Sequence, residues 1–175
     1  VCPTGAILSA GEHVTIDPMI CAGCGSCAAV CPSGAISYDA PSIDILFRRI
    51  NTLAETFSKA GGKNPLLLVH DDNSGAEMIS LAARFCRGLP SSVVPLEVDG
   101  LAGFGHAEIL AALACGFAEV NILTFPTSEI DVIDAQINLA KALGGLGTVH
   151  RLQPTDPEAL CDLLYSGTAA EMACA

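Results

Sequence analysis

Cys21-Ala22-Gly23-Cys24-Gly25-Ser26-Cys27-Ala28-Ala29-Val30-Cys31-Pro32 sets four thiols at spacings of two, two and three residues and closes them with a proline. Two-residue gaps let successive thiolates point into one concave loop, whose backbone N–H groups are free to donate to inorganic sulfide. Gly23 and Gly25 relieve the side-chain crowding that close approach to a cluster would cause. Cys31 lies a helical turn further on, and Pro32 stops the helix and removes one competing N–H. This is the spacing of thiolates that hold a cubane [4Fe–4S] cluster. The competing ligand is zinc, whose sites usually place two CxxC pairs a loop apart, unlike the dense run here.

The run is partly duplicated. Val1-Cys2-Pro3-Thr4-Gly5-Ala6-Ile7 repeats Val30-Cys31-Pro32-Ser33-Gly34-Ala35-Ile36 with a single Thr/Ser difference. The chain therefore carries the tail of one motif followed by a complete one, an internal repeat. It begins with Val inside a motif, so we expect a fragment of a longer protein cut just upstream of Cys2.

On these residues, positions 1–40 resemble the bacterial dicluster ferredoxins. The resemblance implies a swapped ligand set, in which Cys2, Cys21, Cys24 and Cys27 hold one [4Fe–4S] cluster. Cys31 then serves a second cluster, in the full-length protein, whose other three cysteines are absent from this sequence. It also implies transfer of single electrons at low potential.

Composition narrows the setting. The 175 residues allow one ordinary domain plus a small module, and half are apolar. Mean hydropathy is +0.51, yet the apolar residues come in short runs, far from the ~20 needed for a transmembrane helix. Of nine cysteines, Cys86, Cys115 and Cys161 fall in apolar helical patterns, where a free thiol behaves as a small hydrophobe, and Cys174 is a tail residue. Clusters with unpaired thiols point to a reducing compartment, the cytoplasm. A net charge of −11 argues against a nucleic-acid partner, which wants a basic face. No Lys or Arg precedes Arg48, while Glu12, Asp17, Asp39 and Asp44 all do. Such a surface would be steered toward a basic patch on a redox partner.

The expected order of elements follows from periodicity. Ala6–Ser9 and His13–Ile16 form a hairpin, and Ala35–Tyr38 repeats its first strand. Ser42 caps a linking helix that ends at Gly61-Gly62, within a linker spanning 41–64. From 65 to 166 short apolar strands alternate with helices: strands at Leu66–His70, Val93–Val98, Val120–Thr124 and Thr148–Leu152. The intervening helices run Ala76–Gly88, His106–Glu119 and from a Ser128 cap to Leu143, where Gly144-Gly145 closes the last. Asp156-Pro157 opens a final helix to about Tyr165, and 167–175 reads as a frayed tail. The expected fold is α/β: a small ferredoxin-like module, then a four-stranded parallel domain of flavodoxin-like or Rossmann-like type.

Ligands of open α/β sheets bind beyond the carboxyl ends of the strands. A polar site there could use His70, Asp71, Asp99 and His106, although loops in that position are polar simply because they are solvated. Gly100, Gly103 and Gly105 precede a helix in the wrong order for a dinucleotide fingerprint, and no phosphate-binding Gly-Lys-Ser/Thr occurs. Ser74 lacks a nucleophile elbow.

Val93-Val94-Pro95-Leu96-Glu97-Val98-Asp99-Gly100 and the stretch from His106 to Leu123 resemble the delta subunit of methyl-viologen-reducing hydrogenases and heterodisulfide-reductase-type proteins. That family passes electrons between a hydrogenase or formate dehydrogenase and a flavin-containing partner, using a [2Fe–2S] centre held by cysteines at the strand ends. Here His70-Asp71-Asp72, Val98-Asp99-Gly100 and Thr124-Phe125-Pro126 stand at those ends, so that centre is expected to be lost and the domain to act as a docking or scaffolding unit. The whole arrangement also resembles formate-dehydrogenase-associated 4Fe–4S proteins. The expectation is an electron carrier, not an enzyme by itself, working with a formate dehydrogenase or hydrogenase-type partner. The alternative is an oxidoreductase fragment whose α/β domain binds a flavin or nucleotide.

Overall fold

The structure is a computed structural model that describes residues 2–39, 41–144 and 148–172, with side chains described as far as residue 166. A two-stranded hairpin opens it, β1 (Ile7–Ala10) against β2 (His13–Ile16), paired Ile7 to Ile16 and Ala10 to His13. The turn Gly11-Glu12 is possible because Gly11 adopts φ 77° without a side-chain clash. One short helix, α1 (Ser26–Ala29), ends at Val30, ahead of Cys31-Pro32. A long amphipathic helix, α2 (Ile43–Lys59), connects to the sheet.

Four parallel strands follow: β3 (Leu66–Asp71), β4 (Val93–Val98), β5 (Glu119–Leu123) and β6 (Val149–Leu152), in the order β4-β3-β5-β6. Helix α3 (Ser74–Phe85) joins β3 to β4, and a 3-10 turn (Leu101–Gly103) plus α4 (His106–Ala114) joins β4 to β5. Helices α5 (Ile130–Leu143) and α6 (Pro157–Met172) precede and follow β6. The connections run in opposite directions from β3, so the topological switch lies between β3 and β5.

Alternation along β3 builds two cores. Leu67 and Val69 face a cluster with Ile50 and Ala54 of α2, Ile109 of α4 and Ile133 of α5. Leu66 and Leu68 face Ala82 of α3 and Leu160 and Cys161 of α6. Each fully buried aliphatic side chain contributes ~1.5–3 kcal/mol of burial energy. Helix α2 is thus part of the wall covering the sheet.

Several boundaries differ from the sequence reading. Ala35–Tyr38 is not a strand; among the described residues the only pairing nearby is an isolated bridge between Asp39 and Ser42. A strand needs a ladder partner, and these residues turn toward cavities instead. Helix α4 stops at Cys115 rather than Glu119 because Gly116 takes φ 109°. Ser42 is at the N-cap of α2 but makes no side-chain cap bond. Ser128 is bonded to the N–H of Phe125 at 3.0 Å, and Glu129 occupies the N-cap of α5. Asp156 does cap α6, accepting from Ala159 N–H at 2.8 Å. That helix continues to Met172, past the expected fraying point; Gly145 and Cys174 lie outside the described residues.

Candidate metal centre

The loop from Cys21 to Cys27 is shaped by two left-handed glycines, Gly23 at φ 69° and Gly25 at φ 75°. These reversals curl the chain so that Cys21, Cys24 and Cys27 border one cavity of about 170 Å³. Cys2 borders the same cavity from the other side of the hairpin, with Ala6, Ile16 and Ile36 supplying apolar wall. Cys31 does not line it. It borders a separate cavity of about 490 Å³ together with Pro32, Ile36, His106 and Glu108. Tyr38 lines both.

The two repeat copies carry the same local chemistry. Thr4 Oγ1 lies 3.5 Å from Cys2 Sγ, and Ser33 Oγ lies 3.5 Å from Cys31 Sγ. The Ala6 N–H donates to Cys2 Sγ at 3.3 Å. The Thr4 hydroxyl first, then that N–H, bring the Cys2 thiol down to about 7. The Ser33 hydroxyl, then the Ile36 N–H, bring Cys31 to about 7 as well. Both thiols are thereby shifted toward the thiolate, the form that binds metal.

Among the described residues no three His, Cys, Asp or Glu side chains converge tightly enough for one metal ion. Cys2, Cys21, Cys24 and Cys27 instead border one void, a donor set that fits a polyatomic iron–sulfur cluster. The wall also holds Ser26, 1 % exposed, whose Oγ is buried without a partner among the described residues. Soft sulfur donors and left-handed glycines both fit an iron–sulfur group.

The α/β domain grips this loop. A β-carbon on Gly100, at the carboxyl end of β4, would stand 2.8 Å from the carbonyl oxygen of Cys24. Tyr38 donates to the carbonyl of Gly23 at 2.7 Å, and burial, then the charge of Asp99, push its phenol above the ordinary value. A small cavity of about 50 Å³ remains between Cys24, Tyr38, Arg49 and Asp99.

The strand-end polar residues are not gathered into one site. His70 Nδ1 contacts the carbonyl of Asp71 at 2.8 Å, and Asp71 accepts from the N–H groups of Asn73 and Gly75 to start α3. Asp99 borders the small cavity, and His106 is bonded to Gln136 at 2.7 Å. Spacing and periodicity point to neither Ser26 nor Tyr38, and the contacts of Gly100 with Cys24 and of Gly103 with Gly25 show only as a Gly-Leu-Ala-Gly spacing after a strand.

Residues 14–37 match the family described as the 4Fe-4S binding domain. More particularly, the chain is 44% identical over 39 residues to the protein named Ferredoxin 7Fe of Hydrogenibacillus schlegelii. That match covers 22% of this chain and 50% of the relative, so the chain spans about half the length of the curated relative it matches. The N-terminal module is a ferredoxin-type [4Fe–4S]-binding unit. Among the described residues no helix is long and apolar enough to cross a membrane.

Proposed function

We propose that this chain is an iron–sulfur electron carrier or electron-transfer subunit in which Cys2, Cys21, Cys24 and Cys27 hold one [4Fe–4S] cluster. The observation that carries this reading is the shared cavity of those four thiols, from which Cys31 is excluded. The cluster, when bound, supplies one-electron redox chemistry. The chain's own residues do the rest. Cys2 offers a thiolate already favoured by Thr4 and Ala6, the glycines bring backbone close, and Ile7, Ile16 and Ile36 give the cavity an apolar wall. Low water access and hydrogen bonds to sulfur are what set the potential of such a site.

In this reading Cys31, in its own cavity beside Tyr38, serves a neighbouring cluster completed by cysteines outside this sequence. The units are a module at 1–40, a connection at 41–64 whose helix α2 also packs on the sheet, and an α/β domain at 65–166. The α/β domain is a docking unit: Gly100 and the turn after β4 hold the cluster loop over the strand end where an open sheet would otherwise receive a small ligand. The partner is a redox protein, of formate dehydrogenase or hydrogenase type by the resemblance noted above, and the compartment is the cytoplasm. The acidic face before Arg48 suits a basic docking patch.

Anaerobic reconstitution with iron and sulfide tests this. The expected product is brown, holds about four iron and four sulfide per chain, and is bleached by a low-potential reductant. A zinc-binding, colourless product would refute it.

A further inference from the structure

We propose that Cys86 and Cys161 form a redox-active dithiol, which a low-molecular-weight disulfide oxidises to a disulfide bond tying helix α6 to the end of α3. Helix α3 ends in a reversal: the N–H groups of Cys86 and Gly88 both donate to the carbonyl of Ala82 at 3.1 Å, and Gly88 takes φ 71°. This turn brings residues 86–88 against α6, where the Cys161 thiol donates to the carbonyl of Gly88 at 3.5 Å. The residues next to the two thiols are paired as well. Arg87 meets Asp162 at 2.9 Å, and its guanidinium lies 4.2 Å from the centre of the Tyr165 ring. Both cysteines pack in the core that Leu66 and Leu68 face. Burial first, then the charge and hydrogen bond of Cys161, raise the Cys86 thiol, so the two sulfurs act directly on each other. A lone buried thiol is a small hydrophobe. A disulfide needs side chains that point toward each other, and these thiols are already partners.

Exposure orders the steps. Cys86 is half-buried, whereas Cys161 is 1 % exposed. The Cys86 thiol gives its proton to water and its sulfur attacks the small disulfide, whose S–S bond breaks and releases one thiolate. The Cys161 thiol then loses its proton, and its sulfur attacks the Cys86 sulfur of the mixed disulfide and expels the second thiolate. Two electrons pass from the pair to the small disulfide, and the two protons end on the two released thiols. Neither cysteine lines the cavity of Cys2, Cys21, Cys24 and Cys27, so the pair keeps its chemistry whether or not that cavity holds a cluster.

The test incubates the reconstituted full chain anaerobically with glutathione disulfide, quenches with acid, alkylates the unfolded chain with N-ethylmaleimide and maps linked tryptic peptides by fragmentation. Cys86 lies between Arg84 and Arg87 on a short peptide of its own, whereas Cys161 and Cys174 share the peptide after Arg151. The Cys174→Ser chain is therefore run beside the wild type. Both chains should lose the Cys86 and Cys161 thiols together and yield a link between these two residues that dithiothreitol reverses. Oxidation should raise the melting temperature by about 5–10 °C, and Cys86→Ala should abolish that rise. Recovery of Cys86 as a free thiol, or only as its glutathione adduct, would overturn the proposal. So would a link from Cys86 to any other cysteine. An unchanged melting temperature in the linked chain would overturn it too, since the bond would then tie nothing.

Discussion

Gly25 and Gly103 meet backbone to backbone: a β-carbon on Gly25 would stand 2.8 Å from the Cα of Gly103. One belongs to the cluster loop and the other to the turn after β4, so the metal centre is built against the sheet domain. Gly100 adds a second contact of the same kind, at the carbonyl of Cys24. Its φ of −146° is open to any residue, so only the contact demands glycine there. Gly100→Ala should therefore leave the sheet's circular dichroism unchanged, destabilise the protein by ~1–3 kcal/mol, and alter the EPR line shape of the reduced cluster. A variant with wild-type stability and spectrum would show that the two parts do not press on each other.

Tyr38 locks the carbonyl of Gly23 at 2.7 Å. Tyr38→Phe removes that bond at a cost of ~1 kcal/mol and should shorten the lifetime of the cluster in air, followed by its visible absorbance. The phenol of Tyr38 is raised by burial and by Asp99. Its contribution is then complete below the ordinary tyrosine value and is lost as pH climbs through the raised one. An ultraviolet titration in which Tyr38 ionises at the ordinary tyrosine value would contradict this environment.

Thiol reactivity separates the cysteines of the cluster-free chain. Cys2 and Cys31 sit at about 7, whereas burial, then Cys161, pushes Cys86 up. For the two lowered thiols the associated stabilisation is present at alkaline pH and lost as pH falls through about 7. Brief alkylation at neutral pH, mapped by mass spectrometry, should label Cys2 and Cys31 first and Cys86 late. Equal labelling would show that Thr4 and Ser33 do not act on them.

Glu108 is buried and accepts from the N–H of Gly105 at 2.9 Å, and burial raises its carboxyl. Its contribution is complete below the unfolded glutamate value and diminishes as pH rises through the raised one. Glu108→Gln keeps the acceptor without the charge and should equal or exceed the wild type in denaturant unfolding at neutral pH. Glu108→Ala orphans a helix-capping N–H and should lose ~1–2 kcal/mol.

Much of this was readable from the sequence because it is local. The Cys21–Cys31 spacing, the Gly11 turn and the Asp156 cap depend on neighbours within a few residues, and β4 begins and ends where its apolar run does. The missing parts are non-local. Ala35–Tyr38 has the composition of a strand but no ladder partner among the described residues. The β4-β3-β5-β6 order depends on crossovers that no single segment encodes. Ser26 reads as a helix-starting serine until its burial beside four thiols is seen. The glycines of the turn after β4 resemble a failed nucleotide motif until Cys24 is found lying against them.

In the proposed assignment Cys2, not Cys31, completes the ligand set of Cys21, Cys24 and Cys27. Iron and acid-labile sulfide should be counted in reconstituted Cys2→Ser and Cys31→Ser chains, with the reduced EPR signal recorded for each. Cys31→Ser should retain about four iron per chain and the wild-type cubane signal, while Cys2→Ser should lose both. A cluster that survives in Cys2→Ser and disappears in Cys31→Ser would contradict it.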